Sequence, residues 1–243
     1  MNSNYYLDFE NKFRGSREKL LDLFYLYESL LEIAIYKDSS PSIVDIGCGR
    51  GEFLQKYKNM FSDSFGIESD QAMVEICRDN GLKVLNGDAI DKLSTLASNS
   101  ISVITIFHMI EHLEHNKLTK LLAECFRVLS NDGVLIMETP SIDNIIVSTQ
   151  TFHIDHTHIN PINSDSICFY LEKIGFSHAK YFFLNPGPLK DATPLKITRI
   201  LNGVAQDLCI IATKTETQFK NLFIDNTKWQ SNLNIGLTTL EAA

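Results

Sequence analysis

The chain has 243 residues, 44% of them apolar, and a formal net charge of −8. That length and apolar content bury one sizeable core with room for a small appendage, and the acidic balance argues against a surface that tracks nucleic-acid phosphates. Its five cysteines, Cys48, Cys77, Cys125, Cys168 and Cys209, form no C-x-x-C pair, so neither a disulfide framework nor a thiolate zinc site is indicated, and a reducing cytoplasm fits.

From the N-terminus, "MNSNYYLDFE" has no basic leader, and the apolar stretch Leu20 to Tyr36 is broken by Asp22, Glu28 and Glu32. Carboxylates are costly in hydrocarbon, so this reads as a soluble helix and no transmembrane segment is expected. The helix is predicted from about Ser16 to Lys37, with Ser16 as N-cap and Glu18 in the first turn. The period then changes. "SIVDIG", "SFGIE", "LKVLNGD", "ISVITIF" and "GVLIMET" are short apolar or β-branched runs, separated by helical segments such as Gln71 to Asp79 and Leu118 to Leu129. A helix around Asp165 to Lys173 follows, then a strand around Ala179 to Leu184 and a last strand near Asp207 to Thr213. This alternation predicts an α/β chain with a doubly wound, mostly parallel sheet whose ligands sit at the carboxyl ends of the strands. Residues 1–39 are expected to form a helical segment near the acceptor site. Residues 40–213 form the main domain, with a loop or lid insertion over about 186–205, and residues 214–243 are a tail or helix.

The first strand runs into "DIGCGRGEF", where Gly47, Gly49 and Gly51 let the backbone turn tightly and approach a ligand. A dinucleotide fingerprint would place its third glycine at residue 52, where Glu52 stands, and Asp45 precedes the loop. Pyrophosphate disfavours both acids. A ligand bearing a sulfonium and an ammonium accepts them while its single carboxylate faces the helix that follows, and S-adenosylmethionine is such a ligand. Glu68, ending the second strand, is placed to accept ribose hydroxyls, and Asp88, after the third, to accept the adenine amino group. The expected cofactor contacts are Asp45, Gly47, Cys48, Gly49, Glu68, Ser69, Asp88, Ala89 and Phe107.

On Asp45 to Gly51, Glu68 and Asp88 the sequence resembles the class I S-adenosylmethionine-dependent methyltransferases, whose Rossmann-like sheet ends in an antiparallel last strand. More narrowly it is similar to the methyltransferase part of bacterial O-antigen chain-terminating methyltransferase/kinase proteins. It shares "FRGSRE" (13–18), "FH..EHL" (107–113), "ETP" (138–140) and "D.TH..P" (155–161) with them, but has His156 and Asn160 where they carry Pro and Arg. The resemblance implies a cytoplasmic O-methyltransferase of polysaccharide biosynthesis, acting on a sugar, a sugar phosphate or a related surface-glycan precursor. Two alternatives stay open: a small-metabolite O-methyltransferase of the ubiquinone-pathway type, and a non-catalytic cofactor-binding regulatory module.

"FHMIEHLEHN" places His108, Glu111 and His112 in the order H-x-x-E-H, which one class of zinc peptidase also uses. Here the run follows strand four of a doubly wound sheet, at the edge where a cofactor methyl group would project. Two versions of its chemistry remain. In one, Glu111, His112 and His158 are catalytic and a histidine is the general base for an acceptor hydroxyl. In the other, His108, Glu111, His112 and His158 hold a divalent metal that lowers the hydroxyl pKa, as the similar E-x-x-E-H site of ubiquinone-pathway and small-RNA O-methyltransferases implies. The second cluster, His153, Asp155, His156 and His158, lies where this fold places acceptor-binding elements. Arg14, Arg17, His108, His153 and Asp155 are the expected acceptor contacts, and the two guanidinium forks predict an anionic acceptor.

Overall fold

A computed structural model describes residues 17–36, 38–186 and 204–215, with isolated positions 7, 9, 12 and 13 before them. Arg14, the N-cap Ser16, the interior of the expected lid and the tail beyond residue 215 lie outside the described residues.

Seven strands form one sheet in the order β3-β2-β1-β4-β5-β7-β6. The strands are β1 (Ser42–Ile46), β2 (Asp63–Glu68), β3 (Lys83–Asn86), β4 (Ile101–Phe107), β5 (Leu129–Pro140), β6 (His178–Pro186) and β7 (Ala205–Thr213). Every residue of β1 and β4 is buried, which explains their unbroken apolar runs: a central parallel strand is covered on both faces. Successive side chains still alternate. Ile104 and Ile106 join the core on one face, while Val103 and Phe107 join the core on the other. β1 pairs in parallel with both β2 and β4, so the strand order reverses at β1 and a crevice opens beyond its carboxyl end. β7 runs antiparallel to both β5 and β6, in agreement with the expected antiparallel end.

The helices match their sequence patterns. His115–Val128 starts a little before the expected Leu118 and buries Leu118, Leu121, Leu122, Cys125 and Val128, a helical stripe against the sheet. The N-terminal segment differs in one respect. A 3₁₀ turn, Phe24–Tyr27, interrupts it between the helices Arg17–Leu23 and Glu28–Ile35. Three residues per turn place Phe24 and Tyr27 on one line, and both are buried. The ring of Phe107 packs 5.2 Å from each of them and 4.8 Å from Phe53. The Tyr57 hydroxyl donates to the Phe24 carbonyl at 2.7 Å and the Lys56 ammonium to that of Leu21 at 2.7 Å, which ties the turn to the helix Glu52–Tyr57.

Tyr27 is fully buried, and its hydroxyl donates to Oε2 of buried Glu138 at the end of β5. Burial, and then the charges of Cys209 and Glu138, hold the phenol well above its ordinary pKa, so it stays a donor. Tyr27→Phe keeps the ring and removes the donor, leaving a carboxylate oxygen unpaired. The expected cost is roughly 1–3 kcal/mol, read as a lower denaturant midpoint with an unchanged m-value.

Candidate active site

The loop after β1 is shaped by Gly47, Gly49 and Gly51, at φ 67°, 54° and 78°. A Cβ on Gly47 would lie 2.8 Å from Met109 Cγ, so a side chain there is strained and also has no room. Glu68 clasps this loop to the next one. Its carboxylate accepts from the Gly49 amide at 2.9 Å, the Ser69 amide at 2.8 Å and the Asp70 amide at 2.9 Å. Asp88 caps the helix Ala89–Ser94 through the Ile90 amide and takes the Lys117 ammonium at 2.8 Å. The hydrogen bond from Lys117, helped by those amides, lowers the Asp88 pKa. Together these loops bound a cleft of about 350 Å³ whose wall includes Gly47, Gly49, Glu68, Ser69, Asp88 and Ala89.

Three other residues expected at the cofactor lie behind this wall. Asp45 is buried beneath the loop and accepts from the Thr105 hydroxyl at 2.7 Å. Cys48 is buried, its thiol held above the ordinary range chiefly by a hydrogen bond with Cys77 and then by burial. Phe107 turns into the aromatic cluster. The sequence reading missed Lys117 and Met109, which do line the cleft. A lysine in the first turn of a helix is a pattern that any solvated helix face carries.

A second cavity, of about 470 Å³, adjoins the first, and His108 and His112 line both. Its apolar side includes Phe13, Phe24 and Phe107, and its polar side Glu138, Asp155, His158 and Asp207. His108 adopts a left-handed conformation at φ 50°, unusual for a residue with a Cβ, as β4 ends. This turns its Nε2 to 3.3 Å from Glu138 and 3.8 Å from Asp207, while Nδ1 lies 3.6 Å from Glu111. Burial alone would push its pKa down, but Glu111, Glu138 and Asp207 outweigh burial and raise it to about 10. Asp207 is pushed up to about 6 by burial, against the pull of His108.

Glu111 is fully buried, and Thr139 donates its hydroxyl to Oε2 at 3.0 Å. Burial opposes its ionisation, and His108 overrides burial, so the carboxyl stays below the usual range. The Glu111 carbonyl accepts the amides of Ile159 and Asn160, which brings the 155–161 element against the H-x-x-E-H run. The His112 and His158 rings meet edge-on at 4.6 Å, and burial lowers the His112 pKa. The structure therefore divides the expected metal set. One ligand atom from each of Glu111, His112 and His158 lies within 4.8 Å of the others, while His108 groups instead with Glu138 and Asp207. His108 leaves the set because the carboxylates at the ends of β5 and β7 draw it away.

The peptidase arrangement does not form, since Ile110–His112 is a single 3₁₀ turn rather than a helix presenting both histidines on one face. His153 is exposed and reaches the Ser148 carbonyl at 3.2 Å, outside the cavity wall. Arg17 donates to Gln55 and is likewise absent from that wall.

Residues 44–137 match the family model described as "Methyltransferase domain". A solved S-adenosylmethionine-dependent methyltransferase from Archaeoglobus fulgidus is 30% identical, superposes with a TM-score of 0.73, and aligns over 86% of this chain and 99% of its own. The chain belongs to the class I S-adenosylmethionine-dependent methyltransferases. Two curated relatives are similar over shorter stretches. An S-adenosylmethionine-dependent methyltransferase of Mycolicibacterium smegmatis is 24% identical over 152 residues, 62% of this methyltransferase. The tRNA (carboxymethyluridine(34)-5-O)-methyltransferase of Arabidopsis thaliana is 27% identical over 111 residues, 44% of this methyltransferase. The matches span 57% and 26% of those relatives' lengths. The cofactor is S-adenosylmethionine. Among the described residues no helix is long and apolar enough to cross a membrane.

Because Glu68 joins two loops of the cleft through three amides, Glu68→Ala should loosen the methyltransferase's glycine loop as well as remove an acceptor. S-adenosylhomocysteine affinity is expected to fall at least about tenfold, near 1.4 kcal/mol, by calorimetry. Gly47→Ala should lose as much through its clash with Met109.

Proposed function

We propose that the protein is an O-methyltransferase acting on a hydroxyl of a sugar or related surface-glycan precursor. The observation that carries this reading is the convergence of Glu111, His112 and His158 beside the junction of the two cavities. In the proposed complex the loop at Gly47 and Gly49 receives the methionine end of the cofactor, Glu68 the ribose hydroxyls and Asp88 the adenine amino group. The sulfonium methyl then points past His108 and His112 into the second cavity. An acceptor hydroxyl held beside Glu111, His112 and His158 gives up its proton to solvent water. As its oxygen bonds to the methyl carbon, the carbon–sulfur bond breaks and S-adenosylhomocysteine leaves.

The composition of the second cavity supports a polyhydroxylated acceptor. Glu138, Asp155 and Asp207 accept hydrogen bonds, and Phe13, Phe24 and Phe107 offer apolar faces for a ring. It does not support the anionic acceptor expected from Arg14 and Arg17. No Lys or Arg is among the described residues of the wall, and its three carboxylates, which His108 offsets only in part, repel a phosphate. A neutral acceptor is the better fit.

The reading is tested by incubating native extract with methyl-deuterated cofactor and identifying the labelled product by mass spectrometry. A deuteriomethyl ether on a neutral sugar is expected, whereas label on nitrogen or on a phosphate would overturn the proposal. With that acceptor, His158→Ala should lower kcat by about 10²–10⁴ while S-adenosylhomocysteine affinity stays near wild type. Arg17→Ala should leave the acceptor KM unchanged.

A further inference from the structure

We propose that Glu111, His112 and His158 bind one divalent transition-metal ion of the zinc class, with an open position toward the acceptor cavity. Only the ion's role in the reaction rests on the methyl-transfer reading above; its binding does not.

The hydrogen bonds fix where the protons are. His158 Nδ1 lies 2.7 Å from the Phe152 carbonyl oxygen, which can only accept, so Nδ1 carries a proton, and in the neutral ring the lone pair is on Nε2. That lone pair faces Glu111 Oε1 and Asp155 Oδ2, both at 3.9 Å, so acceptor meets acceptor. Thr157 gives its hydroxyl proton to Asp155 at 2.6 Å and therefore receives from His112 Nδ1 at 2.8 Å. His112 thus also has its lone pair on Nε2. Glu111 Oε1 is buried without a hydrogen-bond partner, on a side chain that is 0% exposed. His108 Nδ1, at 3.6 Å, balances its charge but stands beyond hydrogen-bond range, so the oxygen still lacks a direct partner, which a coordinated ion would supply.

The spacing fits an ion better than a hydrogen bond. The 3.9 Å from His158 Nε2 to Glu111 Oε1 exceeds hydrogen-bond range. It is somewhat wider than the separation of about 3.3 Å between two ligands of a tetrahedral ion with bonds of about 2.0–2.1 Å. Small side-chain rotations close the difference. Two imidazole nitrogens and one carboxylate oxygen suit zinc and its neighbours, whereas magnesium and calcium take oxygen ligands. Each ligand is already oriented by a partner: Thr157 and through it Asp155 for His112, the Phe152 carbonyl for His158, and the Thr139 hydroxyl for Glu111. Three protein ligands leave a position open, and both histidines line the acceptor cavity. A hydroxyl bound there would have its pKa lowered and release its proton to water before accepting the methyl group.

The test uses the full chain after exhaustive chelator dialysis, titrated with Zn²⁺ alone by calorimetry and with Co²⁺ alone by visible absorption. Wild type should bind stoichiometrically at micromolar concentration or tighter, with cobalt d–d bands. Glu111→Gln and His158→Ala should weaken binding at least about 100-fold, Thr157→Val by about 10–100-fold, and His153→Ala not at all. Failure of wild type to take up either ion, or unchanged binding in both Glu111→Gln and His158→Ala, would overturn the metal site. S-adenosylhomocysteine binding by the same dialysed protein separates the two readings. If it persists without metal uptake, the metal site alone is wrong. If it too is absent, the methyltransferase reading fails.

Discussion

The constraint on which the site depends is charge. Glu111, Glu138 and Asp207 come together where β4 and β5 end and β7 begins, and one imidazole, His108, stands among them. Three carboxylates cannot share a poorly solvated corner without a cation, and the left-handed backbone of His108 is the conformation that brings its ring there. With His108 protonated, Glu111 ionises despite complete burial, and the same Oε1 that faces His108 at 3.6 Å also faces His158 at 3.9 Å. The strain at one residue thus sets the electrostatics of the next turn. A histidine that sequence pattern makes a candidate ligand serves in the fold as the counter-ion of its neighbours.

The same corner couples distant parts of the chain. Tyr27, from the N-terminal segment, reaches Glu138, and Glu138 reaches His108. The packing of Phe24 and Tyr27 on Phe53 and Phe107 brings the N-terminal segment against the sheet, and Leu20, Leu23 and Phe24 line the second cavity.

The sheet was legible in the sequence because its signals are local. Short apolar runs, the glycine loop and the acids that end β2 and follow β3 all lie within a few residues of the elements they define. The side-chain constellation was only partly legible. His112 and His158 are 46 positions apart in number and meet because the Glu111 carbonyl holds the amides of Ile159 and Asn160. Nothing in either segment specifies that contact. Asp207 could not be found at all: it enters through an antiparallel strand whose register against β5 decides which residue faces Pro140. The side chain of Phe107 packs in the aromatic cluster, because side chains alternate along a strand and its neighbour Ile106 takes the other face.

Glu68 holds a consequence for how the cofactor enters. A carboxylate offers about four lone-pair sites, and the amides of Gly49, Ser69 and Asp70 use three of them. A ribose that brings both its hydroxyls to Glu68 needs two. The Gly49 amide, which belongs to the other loop, is the one that can leave without breaking the turn after β2. Entry of the nucleoside would then release the glycine loop from Glu68 as the methionine carboxylate arrives to take over that amide. On the proposed placement of the cofactor, the ribose would take Glu68 and the methionine carboxylate the Gly49 amide, so that a nucleoside and a methionine offered separately would each bind less well than when joined in one molecule.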